Sequence, residues 1–254
     1  MLMASEAGVC ATRDLAALLR RRLTDAAPPD AEVAALVAAI LERCGAGVQT
    51  VLLYGSYLRG ARDTLLDFYV VVDDYASALG SRWSALGAFL LPPNVYYLVV
   101  PGADGQQVRA KYAVVTARQL RRHVRGLHPY FWARFTQPCR LVYGRDDQCR
   151  GALRETVAMA VETFVQRVTP YVGSPFTAAE FWNQGFAKTY RAELRAESAE
   201  RVASLFDHDP DYYAGLLSGF GFAGQSDGSF AAPALAARSW YWPTTIALGK
   251  VLSV

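Results

Sequence analysis

Apolar residues recur at helical spacing in two N-terminal stretches, ATRDLAALLRRRL (11–23) and AEVAALVAAILERC (31–44), which predict two amphipathic helices. Pro28, Pro29 and Asp30 stand just before the second and form a helix-start pattern. The pattern then changes to short apolar runs separated by turn residues: VQTVLLYGS (48–56), LLDFYVVVDD (65–74), VYYLVV (95–100) and VRAKYAVVTA (108–117). Runs of this length and composition predict strands. ARQLRRHVRGL (117–127) returns to helical spacing, and ALRETVAMAVETFVQRVTPYV (152–172) predicts a long helix. Thr177 followed three residues later by Glu180 is a capping box, opening a helix that is expected to run through Arg195 or beyond. HDPDYY (208–213) is a further helix start, and the glycine-rich GFGFAGQSDGSF (219–230) reads as a hairpin or loop. The expected fold class is therefore α+β. A mixed-sheet domain over 1–148 is followed by a mainly helical domain over 149–254.

Composition narrows the classes. At 254 residues and 52% hydrophobic, the chain has ample material for a core and is not a disordered sequence. The longest apolar stretches are interrupted by charge or proline, so no transmembrane helix is expected. No apolar segment of signal-peptide type follows Met1, so secretion is not expected. Cys10, Cys44, Cys139 and Cys149 lack metal-type spacing and read as the reduced thiols of a cytoplasmic protein. The apolar pattern of GKVLSV continues to the last residue, as it would if the natural chain ran further.

A net charge of +3 gives no reason to expect nucleic-acid binding, but residues 101–150 hold ten basic residues against three acidic ones. Within them Arg118, Arg121, Arg122 and Arg125 are spaced for one helix face. That face is either solvated or a contact for anionic lipid or a phosphate-bearing substrate. Trp240, Tyr241 and Trp242 are packing residues or an interfacial anchor. His123, His128 and His208 have no metal-type spacing.

The segment with the clearest chemistry is Tyr54-Gly55-Ser56, followed after a gap by Leu66-Asp67-Phe68. A strand ending in Gly-Ser, then an Asp in an apolar strand, is the nucleotidyltransferase arrangement. Glycine lets the backbone approach a phosphate, and a Ser hydroxyl with neighbouring N–H groups can hold it. The Asp can hold Mg²⁺ against phosphate oxygens. Two carboxylates at alternate positions of one strand are usual, but here Tyr69 occupies the second. Asp73 shares the strand parity of Asp67, yet six residues at ~3.3 Å each put it ~20 Å away. Asp74 is the other acid at that end. Lys111 sits in an apolar run, where an unpaired ammonium is costly; Asp67 or a nucleotide phosphate would explain it.

YGSYLRG followed by LLDFYVVVDDY resembles the mitochondrial-type phosphatidate cytidylyltransferases. The resemblance continues in order through NVYYL (94–98), Lys111-Tyr112-Ala113-Val114, Ala133 to Pro138, Phe176-Thr177 and Thr189 to Arg195, and so covers about 48–254. It implies a nucleotidyltransferase-type sheet domain, with the active site between it and the helical domain. It implies Mg²⁺-dependent cytidylyl transfer from CTP to phosphatidic acid, or a related phosphate monoester, at a peripheral membrane surface such as the inner membrane face. The implied site consists of Asp67 and Lys111 as catalytic groups and Asp67 with Asp73 on the metal. Tyr54, Gly55, Ser56, Lys111, Tyr190, Glu193 and Arg195 would bind the nucleotide.

The departures are specific. Tyr57 replaces the second glycine of the family's GSG and is expected to put a large side chain beside the phosphate turn. Asn94, Val95 and Tyr96 stand where the family has a His-Tyr-Ser segment. Gln137 replaces a lysine, and Glu193 an aspartate. They leave two alternatives open: a transferase with another nucleotide or a soluble acceptor, and an inactive nucleotide-binding module.

Overall fold

In the computed structural model, residues 3–24, 29–62, 64–79, 94–102, 106–192 and 199–231 are described. The two N-terminal helices form as expected, α1 over Met3–Leu23 and α2 over Ala31–Cys44. The four apolar runs become β1 (Val48–Tyr54), β2 (Leu66–Val72), β3 (Asn94–Pro101) and β4 (Gln107–Thr116). A short helix α3 (Tyr75–Leu79) follows β2. Two more, α4 (Ala117–His123) and α5 (Pro129–Thr136), follow β4. A fifth strand, β5 (Arg140–Gly144), has no counterpart in the sequence reading. The chain then forms α6 (Asp147–Val168), β6 (Phe176–Thr177), α7 (Ala178–Ala192), α8 (Ala199–Asp207), α9 (Pro210–Gly219), β7 (Ala223–Gly224) and β8 (Ser229–Ala231). The chain is α+β.

The main sheet has the order β3-β4-β2-β1-β5. It is mixed: β2 and β4 run parallel, and every other neighbouring pair is antiparallel. One face packs on α2, whose buried residues Val33, Leu36, Val37, Ile40 and Cys44 form a single stripe. They meet Val51 and Leu53 of β1, Phe68 and Val70 of β2, and Tyr112 and Val114 of β4 in one continuous core. Each such fully buried aliphatic or Phe side chain contributes about 1.5–3 kcal/mol. The alternate residues of the same strands, among them Leu52, Tyr69, Ala113 and Val115, are buried too. Burial on both faces explains why β2 reads as an almost unbroken apolar run.

The chain divides into two compact units. The sheet unit comprises 20–122 and 138–155; the helical unit comprises 1–19, 123–137 and 156–254. The helical unit has an aromatic centre at Phe164, whose ring stacks on Trp182 at 4.9 Å and meets Trp132 edge-on at 5.8 Å. Phe186 lies 5.2 Å from it. Gly185 makes this packing possible, because a Cβ there would come within 2.5 Å of the Phe164 ring. Trp182 donates its indole N–H to the Tyr213 carbonyl at 3.0 Å.

The capping box at the start of α7 is present in full. Glu180 accepts from the Thr177 N–H at 2.7 Å, and Thr177 Oγ1 accepts from the Glu180 N–H at 3.2 Å. Asp209 likewise caps α9 through the Tyr212 N–H. The glycine-rich segment is a small hairpin, β7 with β8, and β6 adds a third strand.

Candidate functional site

The register of the main sheet sets the site. Tyr54 of β1 pairs with Asp67 of β2, Asp67 with Lys111 of β4, and Lys111 with Tyr97 of β3. Two tyrosines, an acid and a base thus stand in one row across four strands, each step about 4.8 Å. The row lies on the face opposite α2. Within it, Lys111 Nζ lies 3.0 Å from Asp67 Oδ1. Asp67 is 16% exposed and Lys111 42%. Solvent does not reach Asp67 Oδ1, and the ammonium of Lys111 forms an ion pair with it. A shielded carboxylate oxygen with spare acceptor capacity is a seat for a cation or a donor.

The turn after β1 closes over this carboxylate. Gly55 has φ +93° and ψ −159°, a conformation essentially reserved for glycine. A Cβ at this position would lie 2.6 Å from Asp67 Oδ2. Gly55 is therefore required both by its dihedrals and by the approach of the acid. Gly55→Ala is expected to cost about 1–3 kcal/mol of stability and to displace the Asp67 carboxylate. Urea unfolding and the chemical shift of the Asp67 carboxyl carbon check this; an unchanged carboxyl signal would count against the close approach. Ser56 begins a short 3₁₀ turn, Ser56–Arg59, and its Oγ lies 2.9 Å from Thr64 Oγ1.

Tyr69, where a second carboxylate was sought, is fully buried, and its ring lies 5.0 Å from that of Tyr54. Asp73 is not beside Asp67. β2 is paired without a break along β4 from Leu66 to Val72, which leaves Asp73 past the far end of the strand. The expectation of Asp73 as a second metal ligand is corrected accordingly: its carboxylate holds Arg145 Nη1 at 2.6 Å and Gln49 Nε2 at 2.6 Å. Asp74 accepts from the Ser77 N–H and caps α3.

The bonds from Arg145 and Gln49 hold the Asp73 carboxyl below its ordinary range. A carboxylate lowered in the folded state stabilises above its unfolded pKa, about 3.9, and that stabilisation is lost as pH falls through the folded value. Asp73→Asn is therefore expected to melt below the parent protein at neutral pH, with the gap closing below about pH 4. Melting temperatures from pH 7 to 3 test this; a gap independent of pH would refute it.

The other candidates are placed as follows. Tyr190 is half-buried on α7 in the helical unit. Glu193, Arg195 and Trp240 to Trp242 lie outside the described residues. Arg118, Arg121, Arg122 and Arg125 are exposed, with Arg121 Nη1 3.4 Å from Glu155 Oε2. His123 stacks on Phe131, and His128 caps α5 by accepting from the Tyr130 N–H. Cys44, Cys139 and Cys149 are buried free thiols, and burial pushes the Cys139 thiol up to about 12. No helix among the described residues is long and apolar enough to cross a membrane.

Sequence reasoning missed Thr64 and Tyr97. Thr64 sits in a polar loop with no periodicity to mark it. Tyr97 is exposed on edge strand β3, and only the β3–β4 register brings it beside Lys111. The donor set can be compared with a Mg²⁺ ion, which is commonly held by one or two carboxylates together with substrate phosphates. Asp67 supplies one carboxylate, its Oδ1 shielded from solvent beside Lys111 and its Oδ2 beneath Gly55. This fits a Mg²⁺ that arrives with a polyphosphate. No protein-family model matches the chain, and no curated protein is significantly similar to it.

Proposed function

We propose that the chain is a nucleotidyltransferase of the phosphatidate cytidylyltransferase type, transferring a cytidylyl group from CTP to phosphatidic acid or a related phosphate monoester. The observation that carries this reading is the Asp67–Lys111 pair beneath the Gly55-Ser56 turn. An acid shielded from solvent, a cation 3.0 Å from it and a glycine turn closing on the acid are groups that a polyphosphate and its metal can use. The ordered resemblance along the sequence supplies the choice of CTP and of the acceptor, and with it the nucleotidyltransferase-type fold of the sheet unit.

In this reading Asp67 holds Mg²⁺, which supplies charge neutralisation on the phosphate oxygens when bound. Lys111 offsets negative charge on the triphosphate, and Gly55 and Ser56 present backbone N–H groups and a hydroxyl to it. An acceptor phosphate oxygen attacks the α-phosphorus, the bond from that phosphorus to the β-phosphate bridging oxygen breaks, and pyrophosphate leaves. The acceptor is already anionic near neutral pH, so no strong general base is needed. Catalysis is then mainly positioning and electrostatics.

The test is pyrophosphate release with CTP, Mg²⁺ and phosphatidic acid vesicles, with ATP, GTP and UTP in parallel. Release that needs both CTP and the lipid supports the full reading. Release with CTP alone keeps the transferase and replaces the acceptor. Absence of both release and CTP binding overturns the reading and favours a module in which buried Tyr69 stands where the second carboxylate once was.

A further inference from the structure

We propose that Tyr57 and Asp30 form a latch that holds the Ser56 turn in its phosphate-accepting shape, Tyr57 acting as a positioning residue through Ser56. The inference rests on the reading of the Gly55-Ser56 turn as a nucleotide site and adds to it residues outside that site.

Tyr57 was expected to crowd the turn. Instead its side chain is 8% exposed and belongs to the core between α2 and the sheet. Its hydroxyl donates to Asp30 Oδ2 at 2.5 Å. Asp30 stands at the N-cap of α2, yet its side chain makes no capping bond to its own helix. The carboxylate that should satisfy the first turn of α2 is turned to Tyr57 instead, although N-cap Asp is among the best capping residues. The returning limb of the same loop grips the same oxygen: Arg62 Nη1 lies 3.4 Å from Asp30 Oδ2, and the guanidinium sits 4.9 Å from the centre of the Tyr57 ring. This environment lowers the Asp30 pKa, chiefly through the Tyr57 hydrogen bond, and raises that of Tyr57, chiefly through burial.

Both limbs of the excursion from β1 to β2 are therefore tied to one carboxylate on a different element. Between them the turn is closed by its own backbone, with the Gly60 N–H bonded to the Tyr57 carbonyl at 3.1 Å and the Ala61 N–H to the Ser56 carbonyl at 3.2 Å. Ser56 has its hydroxyl at Thr64 and its backbone fixed by the residue next to it. A four-residue 3₁₀ turn has weak hydrogen bonding of its own. An anchor one residue from the phosphate-facing hydroxyl is what keeps such a turn in one shape.

The test uses Tyr57→Phe, which keeps the ring and removes only the hydroxyl, with Asp30→Asn as a second variant on an exposed side chain. Amide hydrogen exchange is followed at Gly60 and Ala61 in the free protein, and CTP affinity is measured with Mg²⁺. Each variant is expected to speed exchange at these two amides about tenfold and to weaken CTP binding about tenfold. Exchange within β1 and β2 should stay unchanged, and the double variant should be no worse than either single one. Unchanged exchange at Gly60 and Ala61, or a uniform rise across the sheet, overturns the latch. Faster local exchange with unchanged CTP affinity overturns the positioning role. Parent protein that binds no nucleoside triphosphate overturns the site reading and the positioning role together, and is told apart from the latch's own failure by the parent measurement alone.

Discussion

On the proposed reading, replacing Asp67 with Asn is expected to lower CTP-dependent pyrophosphate release by about 10³-fold while leaving the protein folded. The amide keeps the size of the side chain but loses the charge that a phosphate-bound cation needs. Lys111 loses its counter-charge, but its ammonium is 42% exposed and water can compensate, so the melting temperature should move little. Asp67→Glu is a sharper variant. The extra methylene has to fit under Gly55, where a virtual Cβ is already only 2.6 Å from Oδ2, so the longer acid is expected to rescue little. The assay is steady-state pyrophosphate release with circular dichroism of each variant as the folding control. Activity within a few-fold of the parent in Asp67→Asn would remove this residue from the chemistry.

The largest expected effect on stability lies in the helical unit. Phe164→Ala is expected to cost about 3–5 kcal/mol, a large fraction of the ~5–15 kcal/mol that holds a typical domain. Phe164 is fully buried and packs against the rings of Trp132, Phe181, Trp182 and Phe186. Gly185 supplies an internal control. Alanine is the better helix former by ~1 kcal/mol, yet Gly185→Ala in the parent protein drives a Cβ into the Phe164 ring and should destabilise. In the Phe164→Ala background the ring is gone and only the Val168 γ-methyl, 2.9 Å from the added Cβ, still has to give, so the same change should cost much less. Urea unfolding of the four proteins measures both costs of Gly185→Ala; a loss below about 1 kcal/mol for Phe164→Ala would mean that the surrounding rings collapse into the space.

The elements that could be read from the sequence are those whose own pattern determines them. α2 carries a single apolar stripe from Val33 to Cys44, and β1 to β4 are bounded apolar runs. The Thr177–Glu180 box was readable because both partners lie within one turn. β5 was not: five residues from Arg140 to Gly144, half-exposed except for Gly144, become a strand only because β1 offers them an edge. The candidate site was half readable. Gly55, Ser56 and Asp67 follow from local chemistry, and the cost of an unpaired ammonium in an apolar run correctly pointed Lys111 toward Asp67. Asp73 shared parity with Asp67 but not position, since β2 runs straight. Asp30, Thr64 and Tyr97 join the site or its support only through contacts 27, 8 and 14 residues along the chain, from Tyr57, Ser56 and Lys111. No periodicity encodes those.

The discontinuous make-up of the helical unit has a consequence for how the protein is made. Leu15 and Leu19 of α1 are buried, and the Leu15 backbone lies 3.2 Å from where a Gly219 side chain would begin. These leucines leave the ribosome about two hundred residues before Gly219 does, which at ~5–20 residues per second is tens of seconds. Every residue of the sheet unit has been made by residue 155, within that interval. The nascent chain thus carries the apolar stripe of an amphipathic helix with a burial partner still unmade, a state that invites a chaperone. Growth at high temperature or high expression should burden this interval first, before the finished protein is at risk.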